Sequence, residues 1–349
     1  NAGAGGTVVA GPAEGIAINN ASGGTIDIQG GTVDGKRGTA IANVASGSVK
    51  ISGAETLVTS AHMFTGTINS SSIGNSSMEI SGGTVINTAT NEVNPNPADG
   101  ITDLFTVSAS YAIYTNTSAV CDISISGGTI TLAENPLPVC ERNAAVYYGA
   151  NGELDITGGT LSVVRGYAVQ SARNGADVNI SAGTVKNTGG TAIYNEFGAT
   201  VTIKGGMVEA KGTAIQNGST EGYIVLDGEP AITGNIDIRE SAGMEFGTDF
   251  VPGVGKQTIL VRDNFNASCI IKGGAAFMDN ISLSTQNGKF VESESDLVFV
   301  IKITLRKSDD AAYKQLAYAT PDGKYPELPQ ANVGYEWHYR DESVASGDM

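Results

Sequence analysis

The side chains with chemical potential in this sequence are carboxylates spaced along short VxI phrases, a group of tyrosines, and a few charges in two long inserted segments. The middle residues of the VxI phrases read Asp27, Lys50, Glu79, Ser124, Asp155, Asn179, Thr202 and Val225. Acid-base cleavage of a glycosidic bond takes two carboxyls about 5 to 9.5 Å apart, and no two acids are consecutive in this series. Asp27, Lys50 and Glu79 alternate in sign, which reads as surface electrostatics between neighbouring strands. His62 and His338 are the only histidines. Spacing places no serine or cysteine beside either, so a nucleophilic triad is not indicated.

The inserted segments are INTATNEVNPNPADGITDLFTVSA and TLAENPLPVCERN. Their Asp99, Asp103, Glu134, Glu141 and Arg142 are of the types that supply an acid, a base or oxygen ligands for calcium. Solvated loop charges are the plainer reading. Tyrosine offers different chemistry, an apolar ring with a polar tip, suited to stacking on the C–H faces of sugars. Tyr111, Tyr114, Tyr147, Tyr167 and Tyr194, five of the 12 tyrosines, fall in phrases of one kind beside the insertions. Cys121, Cys140 and Cys269 include no CxxC pair, so a metal site is not indicated. Cys121 and Cys140 lie about one repeat apart and have the option of pairing. Cys121 and Cys269 fall on inward positions, which favours reduced, packed thiols.

These residues are positioned by a phrase that keeps returning, most cleanly as TVTIKGGMVEAKGTAIQN from Thr200 to Asn217. The residue opening each corner falls at Gly30, Gly53, Gly82, Gly127, Gly158, Ala182, Gly205 and Gly228, giving intervals of 23, 29, 45, 31, 24, 23 and 23 residues. A basic period of 23 with expansions predicts a stacked repeat fold. Apolar residues alternate within each copy, as in Ile123 and Ile125 or Val201 and Ile203, which is strand periodicity with one face buried. Each copy holds three strand-like pieces, AIxN, VxI and a TV or TL after the glycines. Three short strands per period describe one turn of a parallel β-helix, with glycines at a corner. Asn20, Asn43, Asn195 and Asn217 share a register and are expected to stack as a structural amide ladder.

The phrases DISISGGTI, ELDITGGTL and GTAIYN resemble the right-handed β-helix repeats of secreted and cell-surface proteins of gut-type and other anaerobic bacteria. The resemblance covers roughly residues 7 to 230. Some of those relatives bind acidic polysaccharide through calcium with a D-G-I-H pattern where this chain has GTAIAN, GTAIYN and GTAIQN, so the carboxylate of that mode is missing. Further on, YKQLAYATPDGKYPELPQANVGYEWHY resembles the small β-grasp repeat of Listeria and Bacteroides-type surface proteins, through Leu328, Pro329, Gly334, Tyr335, Trp337 and Tyr339. Trp337 lies two residues before Tyr339 where that family usually has them adjacent. The resemblances imply an extracellular chain, secreted or attached to a bacterial surface.

Composition agrees. With 47 glycines and 6% aromatic residues, the 349-residue chain suits a coil of thin strands rather than an ordinary globular interior. A net charge of −16 argues against nucleic acid or an anionic membrane as partner. No run approaches the roughly 20 apolar residues of a membrane-spanning helix, and an export leader preceding Asn1 is expected to have been removed. No cofactor is indicated.

The expected architecture is therefore all-β, a right-handed single-stranded parallel β-helix over residues 1–230. Degenerate coils and a cap follow over 231–302, and a partial β-grasp-like repeat over 303–349. The two insertions fall at one corner of consecutive coils, where long loops carry function on a rigid scaffold. The expected function is adhesin-like binding of a polysaccharide or host surface protein by a monomer. The candidate surface is Tyr111, Tyr114, Tyr147, Tyr167 and Tyr194 with Asp99, Asp103 and Arg142. A polysaccharide hydrolase or lyase using acids from residues 86–143, and an inert surface scaffold with its tyrosines covered by loops, are the alternatives.

Overall fold

A computed structural model describes residues 5–11, 15–89, 109–133, 143–219, 221–239, 243–253, 255–262, 269–285, 288–307, 310–318 and 337–338. Three stacks of short parallel strands wind as a right-handed β-helix around one apolar column, as the repeat period predicts.

On the first face, built from the AIxN phrases, Ile18, Ile41, Ile68, Ile113, Val146, Val169, Ile193, Ile215, Ile236, Ile259 and Leu283 occupy one register position. On the second face Ile28, Ile51, Ile80, Ile125, Ile156, Ile180 and Ile203 do the same, followed by Leu226 and Phe246. The third face lines up Val8, Val33, Val58, Val85, Ile130, Leu161, Val185, Val208 and Ile232. Like stacks on like because the strands repeat every ~4.8 Å, so one side-chain shape fills every level. Fully burying each of these side chains is worth about 1.5–3 kcal/mol.

The corner between the second and third faces explains the glycine pairs. Gly31, Gly83, Gly128, Gly159, Gly183 and Gly206 all have φ between 73° and 82°, the left-handed region. A Cβ on Gly159 would lie 2.7 Å from the carbonyl oxygen of Gly127 in the preceding coil, too close for any side chain. Ala182 stands at the first position of its pair, whereas the second position is glycine in all six coils.

The other two corners are held by asparagine. Asn20 Nδ2 donates to Gly24 O at 2.6 Å and to Asn43 Oδ1 at 2.9 Å, and Asn195 Nδ2 donates to Ala199 O at 2.7 Å and Asn217 Oδ1 at 3.0 Å. The expected ladder is thus two separate pairs. Ser70, Thr115, Tyr148 and Ser171 occupy the same register between them. Tyr148, fully buried, needs the room, and its hydroxyl donates to Cys121 O at 3.0 Å. Asn187 serves the opposite corner, accepting from the Gly189 and Gly190 amides at 2.9 and 2.8 Å.

Parallel pairing continues past residue 230 to Ile281–Thr285. It then changes: Asp296–Lys307 runs antiparallel to Ile270–Lys272 and to Gly288–Ser293. Leu297 from this strand is fully buried, and Phe246, Phe250 and Phe277 pack with ring centroids 4.8 to 5.1 Å apart. Pairing and aromatic bulk together cover the last parallel strand of the second face. Asp310–Tyr318 and the short strand Trp337–His338 also pair antiparallel with Asp296–Lys307. Leu328, Pro329, Gly334, Tyr335 and Tyr339, which carry the β-grasp likeness, lie outside the described residues. Among the described residues no helix is long and apolar enough to cross a membrane.

Cys121 and Cys269 are both free and fully buried, as their inward positions predict, while Cys140 lies outside the described residues. Burial raises the Cys121 thiol and pushes Cys269 up to about 12. Raised values keep both sulfurs protonated at pH 8. In the folded protein, mass-mapped iodoacetamide labelling at pH 8 should leave Cys121 and Cys269 unmodified until denaturant is added; prompt native-state labelling of either would contradict this packing. The glycine corner makes a second test. Gly159→Ala should cost about 1–3 kcal/mol of stability. Gly175→Ala, at φ 76° with nothing within 4 Å of the added Cβ, carries the conformational penalty alone. Equal urea midpoints for the two variants would remove the steric argument.

Candidate functional site

The five tyrosines lie on the first face in two adjoining columns. Tyr111, Ala144, Tyr167 and Thr191 succeed one another in one column. Tyr114, Tyr147, Gln170, Tyr194 and Gln216 do so in the other. This is the register the AIxN phrases predict. Both insertions leave the third face, after Asn87 and Leu132, and return to the first at Tyr111 and Ala144. They therefore share one corner of consecutive coils. Asp99, Asp103 and Arg142, with Glu134 and Glu141, lie outside the described residues.

The rings do not stand apart as separate platforms. Tyr114 and Tyr147 stack at 5.0 Å with planes 21° apart, and Tyr111 packs against both at 5.0 Å. Tyr167 and Tyr194 form a second stack at 4.8 Å. Tyr111 is only 7% exposed and joins Ala109 and Ala144 in a small apolar cluster outside the coil, whereas the other four rings are half-buried. The cause is the strand repeat: side chains in successive coils are about 4.8 Å apart, the separation at which offset rings attract. Stacked pairs turn faces toward each other. Tyr114 Oη accepts from Asn116 Nδ2 at 3.0 Å.

Between the two stacks sits a residue that tyrosine counting overlooks. Gln170 is buried in the Tyr114 column and donates from Nε2 to Glu196 Oε2 at 2.7 Å. Its signal in the sequence is the phrase AVQS where neighbouring coils have AVYY and AIYN.

The second face carries a separate feature. A shallow groove of about 360 Å³ is lined by Lys50, Glu79, Asp122, Ser124 and Asp155, among others. Glu79, Ser124 and Asp155 follow one another in the predicted VxI column, and Lys50 pairs with Glu79 at 3.0 Å. Both partners of that pair are about half exposed, so it contributes at most about 1 kcal/mol. The adjacent column sets Asp122, Glu153 and Asp177 in successive coils, a run of like charge that the VxI middle residues do not reveal. Its signal is the first residue of each phrase, DISI, ELDI and DVNI. Two of the groove acids are already engaged: Asp122 accepts from the Glu153 amide at 3.2 Å, and Asp155 from Asn179 Nδ2 at 2.9 Å. Among the described residues no three His, Cys, Asp or Glu side chains are placed to hold one metal ion.

Searches against protein-family models, curated proteins and solved structures match this chain to none of them.

The paired rings should be energetically coupled. A double-mutant cycle on Tyr114→Ala and Tyr147→Ala is expected to give about 0.5–1.5 kcal/mol of interaction by chemical denaturation. A coupling near zero would show that the ring pairing adds nothing to the face.

Proposed function

We propose that this chain is an extracellular, adhesin-like protein that binds polysaccharide through the tyrosine columns of its first face. The observation that carries the reading is the concentration of five tyrosines in four successive coils of that face, at the corner both insertions share. Elsewhere the same columns hold Thr39, Ala42, Asn69, Thr213 and Gln216. The core inside the coil does not call for rings there, because these positions flank the inward Ile and Val column, and Tyr111 packs in the small apolar cluster outside it. Half-buried rings, each an apolar body with a polar tip, suit a ligand that mixes C–H surface with hydroxyl groups, as a glycan does. The stacked coil suits a polymer, since the ring-bearing columns run through four successive levels. Asp99, Asp103 and Arg142 belong to the proposed surface as polar contacts from the two insertions.

The bacterial surface setting rests on the likeness of the DISISGGTI and GTAIYN phrases to surface β-helix repeats. The acidic balance, 36 Asp and Glu against 20 Lys and Arg, suits a soluble monomer facing neutral partners. A host surface protein is the second partner class the same face would serve.

Affinity electrophoresis in gels containing neutral or acidic polysaccharides tests this directly. The parent chain should be retarded by at least one polymer, and Tyr114→Ala/Tyr147→Ala/Tyr194→Ala should lose about tenfold or more in affinity while keeping the parental β-sheet circular dichroism. Retardation of the folded triple variant equal to the parent would sink the reading. Shortening of the bound polymer would instead favour a hydrolase or lyase, and acids within residues 86–143, Asp122 of the groove among them, would be the first to replace.

A further inference from the structure

One polar group inside the tyrosine columns has its hydrogen-bonding capacity half used. Gln170 lies in register between Tyr147 and Tyr194 and is 5% exposed. Its Nε2 donates to Glu196 Oε2 at 2.7 Å. A carboxylate only accepts, so the amide nitrogen must face Glu196 and the amide oxygen must point elsewhere. That oxygen, Oε1, is buried with no hydrogen-bond partner. Leaving a buried acceptor unpaired is costly, and natural folds keep few such groups. Nothing in the packing requires glutamine here, since the same column takes tyrosine in the coil before and the coil after.

We propose that Gln170 and Glu196 form the polar floor of the tyrosine face, and that the ligand is a neutral, polyhydroxylated glycan whose hydroxyls donate to both. This rests on the carbohydrate-binding reading above and narrows its ligand class. Gln170 Oε1 and the Glu196 carboxylate are both acceptors, so the ligand must bring donors. Sugar hydroxyls do so, and the sugar's C–H surface meets the rings of Tyr147 and Tyr194 on either side. A uronate-rich polymer would bring negative charge against Glu196 on a chain of net charge −16. The ligand reaches Oε1 by parting the two flanking rings, side-chain motions that leave the backbone ladder in place. Selectivity follows from the pairing, because a ligand without a hydroxyl at that point leaves the buried oxygen unsatisfied.

The test titrates a soluble galactomannan and polygalacturonate into four forms of the full chain, the parent, Gln170→Leu, Glu196→Gln and the triple tyrosine variant, with a thermal melt of each. The parent should prefer galactomannan by about tenfold or more, and Gln170→Leu should lose about tenfold for it, equivalent to one strong hydrogen bond. Its Tm combines two opposed effects, loss of the hydrogen bond to Glu196 and removal of an unpaired buried oxygen, so affinity is the deciding readout. A glutamine with a purely structural role would leave the affinity of the folded variant unchanged, whatever its Tm. Glu196→Gln should narrow the discrimination against polygalacturonate. Parental affinity in Gln170→Leu, or a parent that prefers polygalacturonate, overturns this proposal, and the tyrosine reading survives if the triple variant has lost binding. A triple variant that binds like the parent overturns both, whereas a parent that binds neither polymer overturns this proposal and leaves the tyrosine reading to the wider polysaccharide panel.

Discussion

The whole molecule depends on the parallel backbone ladder, which brings each coil to within one strand spacing of the next. At ~4.8 Å, any atom that one coil projects along the axis meets the backbone of its neighbour. The glycine corner is where that constraint is tightest. Gly128, Gly159, Gly183 and Gly206 combine positive φ with a preceding coil so close that a Cβ would lie under 3.0 Å from its backbone. Once the corner is set, the distance from corner to strand is the same in each regular coil. Ile then falls on Ile and Val on Val through the length of the stack.

The same spacing has opposite consequences inside and outside the coil. Inside, it rewards identical apolar shapes, and the second face answers with seven successive isoleucines. Outside, it brings like side chains into contact whether or not contact is favourable. Tyrosines at this distance stack, and Lys50 with Glu79 forms an ion pair. Asp122, Glu153 and Asp177 are the unfavourable case, and the hydrogen bond from the Glu153 amide to Asp122 partly compensates that column. A surface made this way is strongly patterned along the axis.

Departures from regularity mark the places where the chain does something else. The amide ladder stops between Asn43 and Asn195 because Ser70, Thr115, Tyr148 and Ser171 take its register. Those coils also carry the insertions and the tyrosine columns. Interior and exterior therefore change together over three shared coils, those of Thr115, Tyr148 and Ser171. At the far end, antiparallel pairing by Asp296–Lys307 and the Phe246, Phe250 and Phe277 cluster close the second-face column, where another parallel coil would otherwise be needed.

Sequence alone determined the period, the three faces, the inward columns and the register of all five tyrosines. Those properties depend on counting residues between corners, and the ladder converts equal counts into equal positions. It also placed Cys121 and Cys269 inside, since their parity matches the Ile and Val around them. Only the tertiary structure decided how neighbouring columns combine. Ring pairing between Tyr114 and Tyr147, the half-used amide of Gln170, the run from Asp122 to Asp177 and the antiparallel closure at Asp296 each depend on side chains or strands from separate coils. Side-chain torsions and hydrogen-bond partners are set by what stands one level above and below, and no single repeat carries that information.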